Sequence, residues 1–430
     1  MKSRRVPGIL VIYWHAPPYA ATVLEHARSF RRHSAFPVHE VNASYGYPQA
    51  LDRLEYSAVV LHYSLFGTLP YALDEAFLAW LDAASASYKV GFFQDEYRFC
   101  EERFAFVDRF ELDSVFTLIE PRFWDETYRA HTNVPHLVHT LPGYVSVELR
   151  RAARRYARPQ RERKVDVGYR ARPVPYSIGP AGRDKTRIAE GFLRHTAGSG
   201  LNVDVTSARD ERLYGRAWYR FLGNCRAVLG VEGGASTLDV DGALQAEHRR
   251  LDELEPELTF DQFWKSAERL VEHRLPYLMV TPRHFEAAAL GCLQILFRGE
   301  YSGVLEAGRH YVPLEKDFSN IDTVIAALRD EPRRLDVIRR AYDELVLSGD
   351  YDYERMVEQL DALLSEEGVL PCLAQGARGH SLPKLRRSQV RGLVWQRARR
   401  GARAPRLAAA RLPGVNRLRT LLHSTRRVLR

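Results

Sequence analysis

Short apolar runs alternate with amphipathic stretches from the N-terminus to about residue 365, the pattern of parallel sheets covered by helices on both faces. Up to about residue 145, segments 8–13 (GILVIY), 58–62 (AVVLH), 89–93 (KVGFF), 114–118 (SVFTL) and 136–139 read as strands. Segments 22–32, 71–85 and 121–129 read as the helices between them. The Arg-rich stretch 147–163 begins as a helix and loses its apolar periodicity near Pro159, which predicts an interdomain linker. A second alternation opens at 164–169 (KVDVGY), with further strands at 203–205, 227–231 and 293–297. Its helices are expected at 185–196, 217–225, 285–290, 322–329 and 332–347, with an acidic helical insertion at 243–273 and a last helix at 353–364 packed on the outside. The expected fold is α/β, two facing Rossmann-like domains: residues 1–150, a linker 151–163, residues 164–367, and a basic, partly helical tail 368–430.

Composition narrows the class. With 45% hydrophobic and 27% charged residues over 430 positions, the chain is neither disordered throughout nor fibrous. The apolar run at residues 8–14 ends at His15 and Pro17, too short for a membrane span or a secretory signal. Cys100, Cys225, Cys292 and Cys372 have no paired spacing, so neither a zinc ribbon nor a disulfide framework is expected, and a reducing, cytoplasmic compartment fits.

The net charge of +9 is unevenly spread. Sixteen of the 63 Lys and Arg follow residue 367, where no Asp or Glu occurs; the 47 that precede face all 54 acidic residues, so the body carries about −7 and the tail +16. Beyond Pro413, Val415, Leu418, Leu421, Leu422 and Leu429 share one helical face while Arg417, Arg419, Arg426, Arg427 and Arg430 lie largely elsewhere. A basic amphipathic helix of this kind lies on an anionic membrane surface, which would make residues 384–430 a peripheral anchor at the inner face of the cell membrane. Nucleic acid is the less favoured partner, because Trp395 alone supplies aromatic interleaving, and a disordered basic tail is the plain alternative.

Ligands of open parallel sheets sit beyond the carboxyl ends of the strands, so the residues there carry the chemistry. Arg170 and Arg172 follow the strand 164–169, and Lys185 lies at the start of the next helix; two guanidiniums and an ammonium beside a helix N-terminus suit a diphosphate, or form a solvated basic loop. Glu232, Gly233, Gly234 and Ser236 form a turn that permits close backbone approach, or a capped turn with no ligand. Arg283, His284 and Glu286 head a helix, where a carboxylate can accept two ribose hydroxyls or simply answer the helix dipole. In the first domain Asp95 and Glu96 follow a strand and are expected to point into the cleft, where either could take a proton from an acceptor hydroxyl or cap the next helix. His15 and His62 end strands at the same edge and are candidate catalytic or structural histidines. Asp239 and Asp241 form the one Asp-x-Asp triplet considered for a divalent cation, and no metal is expected there.

Segments 166–192 (DVGYRARPVPYSIGPAGRDKTRIAEGF), 214–242 (YGRAWYRFLGNCRAVLGVEGGASTLDVDG) and 283–291 (RHFEAAALG) together resemble bacterial glycosyltransferases of the two-Rossmann-domain (GT-B) type. The likeness covers most of residues 5–365 and runs toward the group 1, spore-maturation-like (CgeB-like) branch of surface-polysaccharide clusters. It implies a nucleotide-sugar substrate held by the second domain, a glycan or lipid-linked acceptor held by the first, and no cofactor. It further implies that Arg170 and Lys185 contact the diphosphate and that Glu286 is the ribose-binding carboxylate. Retaining members carry two glutamates separated by seven residues, yet Leu278 occupies the first slot here, with Glu232 as a substitute, so stereochemistry stays open. A sugar-nucleotide epimerase and a non-catalytic scaffold are the rival readings on the same fold.

Overall fold

Strands buried on both faces need apolar side chains at consecutive positions, and Ile9, Leu10, Val11 and Ile12 are all fully buried. The computed structural model describes residues 4–16, 21–67, 69–255, 257–271, 275–369 and 383–396. In the first unit β1 (Arg4–Tyr13), β2 (Val38–Asn42), β3 (Leu54–Leu61), β4 (Tyr88–Phe92), β5 (Ser114–Thr117) and β6 (His136–His139) form one parallel sheet in the order β2-β1-β3-β4-β5-β6. The helices here are α1 (Ala21–His33), α2 (Glu75–Ala83), α3 (Cys100–Arg109) and α4 (Tyr128–His131). The expected helix at 121–129 is a 3₁₀ turn, Pro121–Phe123, followed by the single turn of α4. Two elements absent from the pattern reading are the edge strand β2, whose run VHEVN is only half-buried over its first three residues, and α3, which buries Arg103 along with its phenylalanines.

After α5 (Val147–Tyr156) the second unit repeats the order of the first. Its strands are β7 (Val165–Arg170), β8 (Val203–Thr206), β9 (Cys225–Gly230), β10 (Gly233–Ala235), β11 (Tyr277–Met279), β12 (Leu293–Phe297) and β13 (Val312–Leu314). Five of these make a parallel sheet, β13-β12-β9-β7-β8, and β10 pairs with β11 in a separate antiparallel ribbon. Its helices are α6 (Pro180–His195), α7 (Arg216–Leu222), α8 (Ala243–Leu254), α9 (Phe260–Ala267), α10 (Pro282–Ala289), α11 (Ile321–Arg329), α12 (Glu331–Tyr342) and α13 (Tyr353–Glu366). Helix α6 begins at Pro180, five residues ahead of the expected start, because proline suits the first helical position.

Core membership does not follow chain order. Helix α5, expected as linker, buries Leu149 and Ala153 among second-unit residues such as Leu290 and Phe285. Helix α13, expected on the outside, puts Tyr353, Met356, Val357, Leu360 and Leu364 into the first-unit core with Ile9, Val11 and Phe30. The two crossings meet where Arg150 forms a two-pronged pair with Asp352 at 2.7 and 2.8 Å and the Val145 amide donates to the Tyr351 carbonyl.

The β10–β11 ribbon joins the units as well. Tyr277 and Met279 belong to the second unit by sequence but are buried in the first unit's core beside Leu238. Gly234 has φ +90, and a Cβ there would overlap the Tyr277 carbonyl oxygen, so the ribbon closes only over glycine. A helix over residues 383–396 docks on the first unit, burying Leu385 in the same core, with the Asn42 amide donating to Gln389 Oε1 at 2.8 Å. The expected amphipathic helix beyond Pro413 lies outside the described residues.

Candidate functional site

Each sheet reverses its strand order once, between β1 and β3 and between β7 and β9, and a doubly wound sheet opens its ligand crevice at such a point. The ends of β7, β9, β1, β3 and β4 and the segments leaving them supply all but four of the candidate residues; Lys185 comes from α6, and Arg283, His284 and Glu286 come from α10.

In the first unit the turn after β4 separates two neighbouring carboxylates that the sequence sends to one place. Asp95 is exposed and sits in the left-handed region at φ 51, a conformation uncommon for residues with a Cβ but one that Asp adopts in tight turns when its neighbours hold it. The constraint is visible: buried Arg103 donates to the Gln94 and Asp95 carbonyls at 3.0 Å each and also to the Phe66 carbonyl. Glu96 points the other way, into the core. Its carboxylate accepts from Thr117 Oγ1 at 2.5 Å, Tyr128 OH at 2.6 Å, the Leu118 amide at 2.9 Å and Tyr277 OH at 3.1 Å. Burial raises the Glu96 pKa despite these donors. The side chain therefore anchors the turn, and the expectation that it faces the cleft is corrected.

His62 presents no ring nitrogen to the cleft, against what its position suggested. His62 is fully buried, with Nε2 2.9 Å from His26 Nδ1 and Nδ1 2.8 Å from Ser64 Oγ, and burial keeps its pKa well below the usual value. His15 is buried and its backbone is stapled to Asn42 through bonds of 3.0 and 2.8 Å. A neutral, paired core histidine is the role the packing gives His62.

In the second unit the basic residues divide. Arg170 donates to Asp204 Oδ1 at 2.7 Å and to the Asp204 carbonyl at 2.8 Å, and lies 4.4 Å from the Phe221 ring centroid. Its fork is spent inside the unit. Lys185, in contrast, has no ion-pair partner within 4.0 Å among the described residues and interacts electrostatically with charges of both units, Asp95 and Arg98 of the first and Arg172 and Arg283 of the second. Burial lowers its pKa first, and the three guanidiniums add to that while Asp95 opposes it. Arg172 is lowered by burial and by Arg212, Arg209 and Arg98. None of Arg98, Arg172, Lys185, Arg209, Arg212 or Arg283 forms an ion pair within 4.0 Å among the described residues.

The turn after β9 is mostly structural. Ser236 Oγ accepts from the Ala181 amide at 2.7 Å, so it caps α6 and satisfies the helix end that the sequence offers to phosphate. Glu232 Oε1 accepts from the Tyr301 amide at 2.8 Å, bracing the loop after β12. Gly233 and Gly234 serve the ribbon. Asp239 accepts from the Leu244 and Gln245 amides at 3.0 and 2.9 Å and caps α8, while Asp241 accepts from the Ala243 amide.

At α10, His284 Nδ1 accepts from the Thr281 amide at 2.9 Å in a capping box, and burial lowers its pKa to about 3. Arg283 lies 5.0 Å from the Trp218 ring centroid and donates to the Arg170 carbonyl. Glu286 is buried, accepts from Trp218 Nε1 at 2.7 Å, and burial raises its pKa from 4.5 to about 7. The units touch beside it, where Gly143 abuts Pro282 at the head of α10; within the first unit Gln94 donates to the Pro142 carbonyl at 3.0 Å.

The structure thus couples Lys185 electrostatically to Asp95, Arg172 and Arg283, and engages Arg170, Glu96, Glu232, His284 and His62 with other partners. It adds Arg98, Arg209, Arg212 and Trp218, which the sequence reading did not assign. Arg98 stood within the segment after β4, but the Trp218–Glu286 bond spans 68 positions and left no local signal.

No family model matches the chain, and no curated protein matches it. Among solved structures, an alpha-glucosyltransferase in complex with UDP and a 13-mer DNA containing a HMU base aligns at 10% identity, covering 84% of this chain and 99% of that one, with a TM-score of 0.47. Anabaena Alr3699/HepE in complex with UDP and glucose aligns at 11% identity over 83% and 99%, with a TM-score of 0.44. TarM aligns at 11% over 71% of this chain and 54% of its own, with a TM-score of 0.38.

Proposed function

We propose that the protein is a glycosyltransferase that moves a sugar from a nucleoside-diphosphate sugar to a hydroxyl of a glycan or lipid-linked acceptor, in surface-polysaccharide or glycoconjugate synthesis. It would be a hexosyltransferase of the GT-B, group 1, spore-maturation-like kind, working in the cytoplasm at the inner face of the membrane. One observation carries the reading: the turn that Arg103 clamps leaves Asp95 exposed, while Lys185, which interacts electrostatically with Asp95, Arg172, Arg283 and Arg98, has no ion-pair partner within 4.0 Å among the described residues.

The donor diphosphate would lie on Lys185, Arg172 and Arg283, which supply fixed positive charge where the leaving group gathers negative charge. Asp239 and Asp241 cap α8, so the chain's own cations take the place of a divalent ion. Glu286 at the head of α10 would accept the ribose hydroxyls. The acceptor hydroxyl attacks the anomeric carbon, its proton passes to Asp95, the new glycosidic bond forms as the bond to phosphate breaks, and the nucleoside diphosphate departs. With Asp95 as the base, the reaction inverts the anomeric centre.

Calorimetric titration with UDP, GDP, dTDP, CMP and the matching nucleosides tests the reading. One nucleoside diphosphate should bind at least tenfold tighter than its nucleoside. Equal, negligible heats from every nucleotide would remove it.

A further inference from the structure

The helix 383–396 carries three faces. Leu385 and Gln389 dock it on the end of β2, and Gly392 lets it close on Tyr45, whose ring a Cβ would overlap. A second face, Lys384, Arg387, Ser388, Arg391 and Trp395, lines with Tyr45 an open cavity of about 600 Å³ that contains no acidic residue. The third points outward and exposes Val390 and Val394, each 60%, and Leu393, 38%, with Arg386 among them. The chain's further 34 residues, 397–430, carry only positive charge.

We propose that this cavity is a phosphate-binding site for an anionic lipid headgroup, the outward valines entering the acyl region beside it. Three exposed cations line the open cavity, and the exposed valines of the adjacent face, with Arg386 among them, fit an interface where apolar and charged layers meet. The site stands at the end of β2, three strand spacings from β4, so about 14 Å along the sheet edge from the turn that bears Asp95. That places a bound lipid phosphate on the acceptor side of the cleft, a consequence that rests on the transferase reading; the cavity chemistry does not.

The test uses the full chain, with the triple variant Lys384→Gln, Arg387→Gln, Arg391→Gln, the pair Val390→Ser, Val394→Ser, and Gly392→Leu, which drives the helix off Tyr45. Affinity for phosphatidylglycerol vesicles at physiological salt should fall about 100-fold in the triple variant, three basic residues being lost near an anionic surface. Gly392→Leu should reproduce that loss, and the serine pair should weaken vesicle binding while sparing soluble glycerol 3-phosphate. Vesicle and glycerol 3-phosphate binding both unchanged in the triple variant overturn the site and assign any vesicle affinity to residues 397–430. Loss of glycerol 3-phosphate binding with vesicle binding intact overturns the lipid as occupant in favour of a free phosphate. UDP titration of the same samples separates the two proposals: wild type that binds vesicles but no nucleotide leaves this site standing without the transferase.

Discussion

Replacing Glu286 by Gln keeps the volume and the acceptor for Trp218 Nε1 while removing the titrating group, and its effect on stability has a definite sign. Burial raises the folded-state pKa from 4.5 to about 7. A carboxyl with a raised folded pKa favours the folded state while both states are protonated, and stability is lost as pH climbs from the unfolded value through the folded one. Between pH 5 and pH 8 the wild-type residue should therefore cost about 2.5 kcal/mol that the glutamine does not, from a shift of roughly 2.5 units at 1.36 kcal/mol each less the part already spent by pH 5. Urea unfolding of both proteins at pH 5, 6, 7 and 8 measures it: the curves should diverge, with Glu286→Gln gaining steadily on wild type as pH rises. A difference that stays constant across this range refutes the reasoning, because it would mean that the carboxyl titrates alike in both states. Donor binding supplies a second reading. If ribose hydroxyls bond to the ionised carboxylate, wild-type affinity for the donor should strengthen as pH rises through about 7, and the glutamine protein should lack that step.

The remaining predictions divide residues that lie close together in sequence. Lys185→Ala should weaken nucleoside-diphosphate binding by about 1.5 to 3 kcal/mol with little change for the nucleoside, the range for hydrogen bonds to charged groups, as calorimetry reads it. Arg170→Ala should instead lower stability through the lost Asp204 pair and Phe221 contact, leaving the ratio of the two affinities unchanged. Asp95→Asn should cut turnover by about 10² to 10⁴ with donor affinity intact; Glu96→Gln should cost about 1 to 3 kcal/mol of stability because an amide N–H would face one of four donors. Gly234→Ala should destabilise the fold, since its Cβ meets the Tyr277 carbonyl in a backbone region that disfavours side chains; thermal melts equal to wild type would show that the ribbon can shift.

Local pattern carried the architecture of this chain far. Buried parallel strands carry apolar stretches, 9–12 in β1, 227–229 in β9 and 295–297 in β12, and their spacing by amphipathic helices already implies two doubly wound sheets. β2, β10, β11 and β13 escaped it, because they owe their pairing to a neighbour rather than to an apolar run of their own, whereas the edge strands β6 and β8 were legible. Which unit a helix serves was also beyond local signal: α5 and α13 are amphipathic in either setting, and only the sheet that each meets decides the core it fills. At the site, residue type and position after a strand were enough to nominate Asp95, Lys185, Arg172, Arg283 and Glu286. They could not separate Asp95 from Glu96 or Lys185 from Arg170. One of each pair is consumed by partners from distant segments, Thr117, Tyr128 and Tyr277 for Glu96, Asp204 for Arg170. A side chain's availability to a ligand depends on what else lies within hydrogen-bond reach, and in a fold with crossings this long, tertiary structure alone assembles those partners.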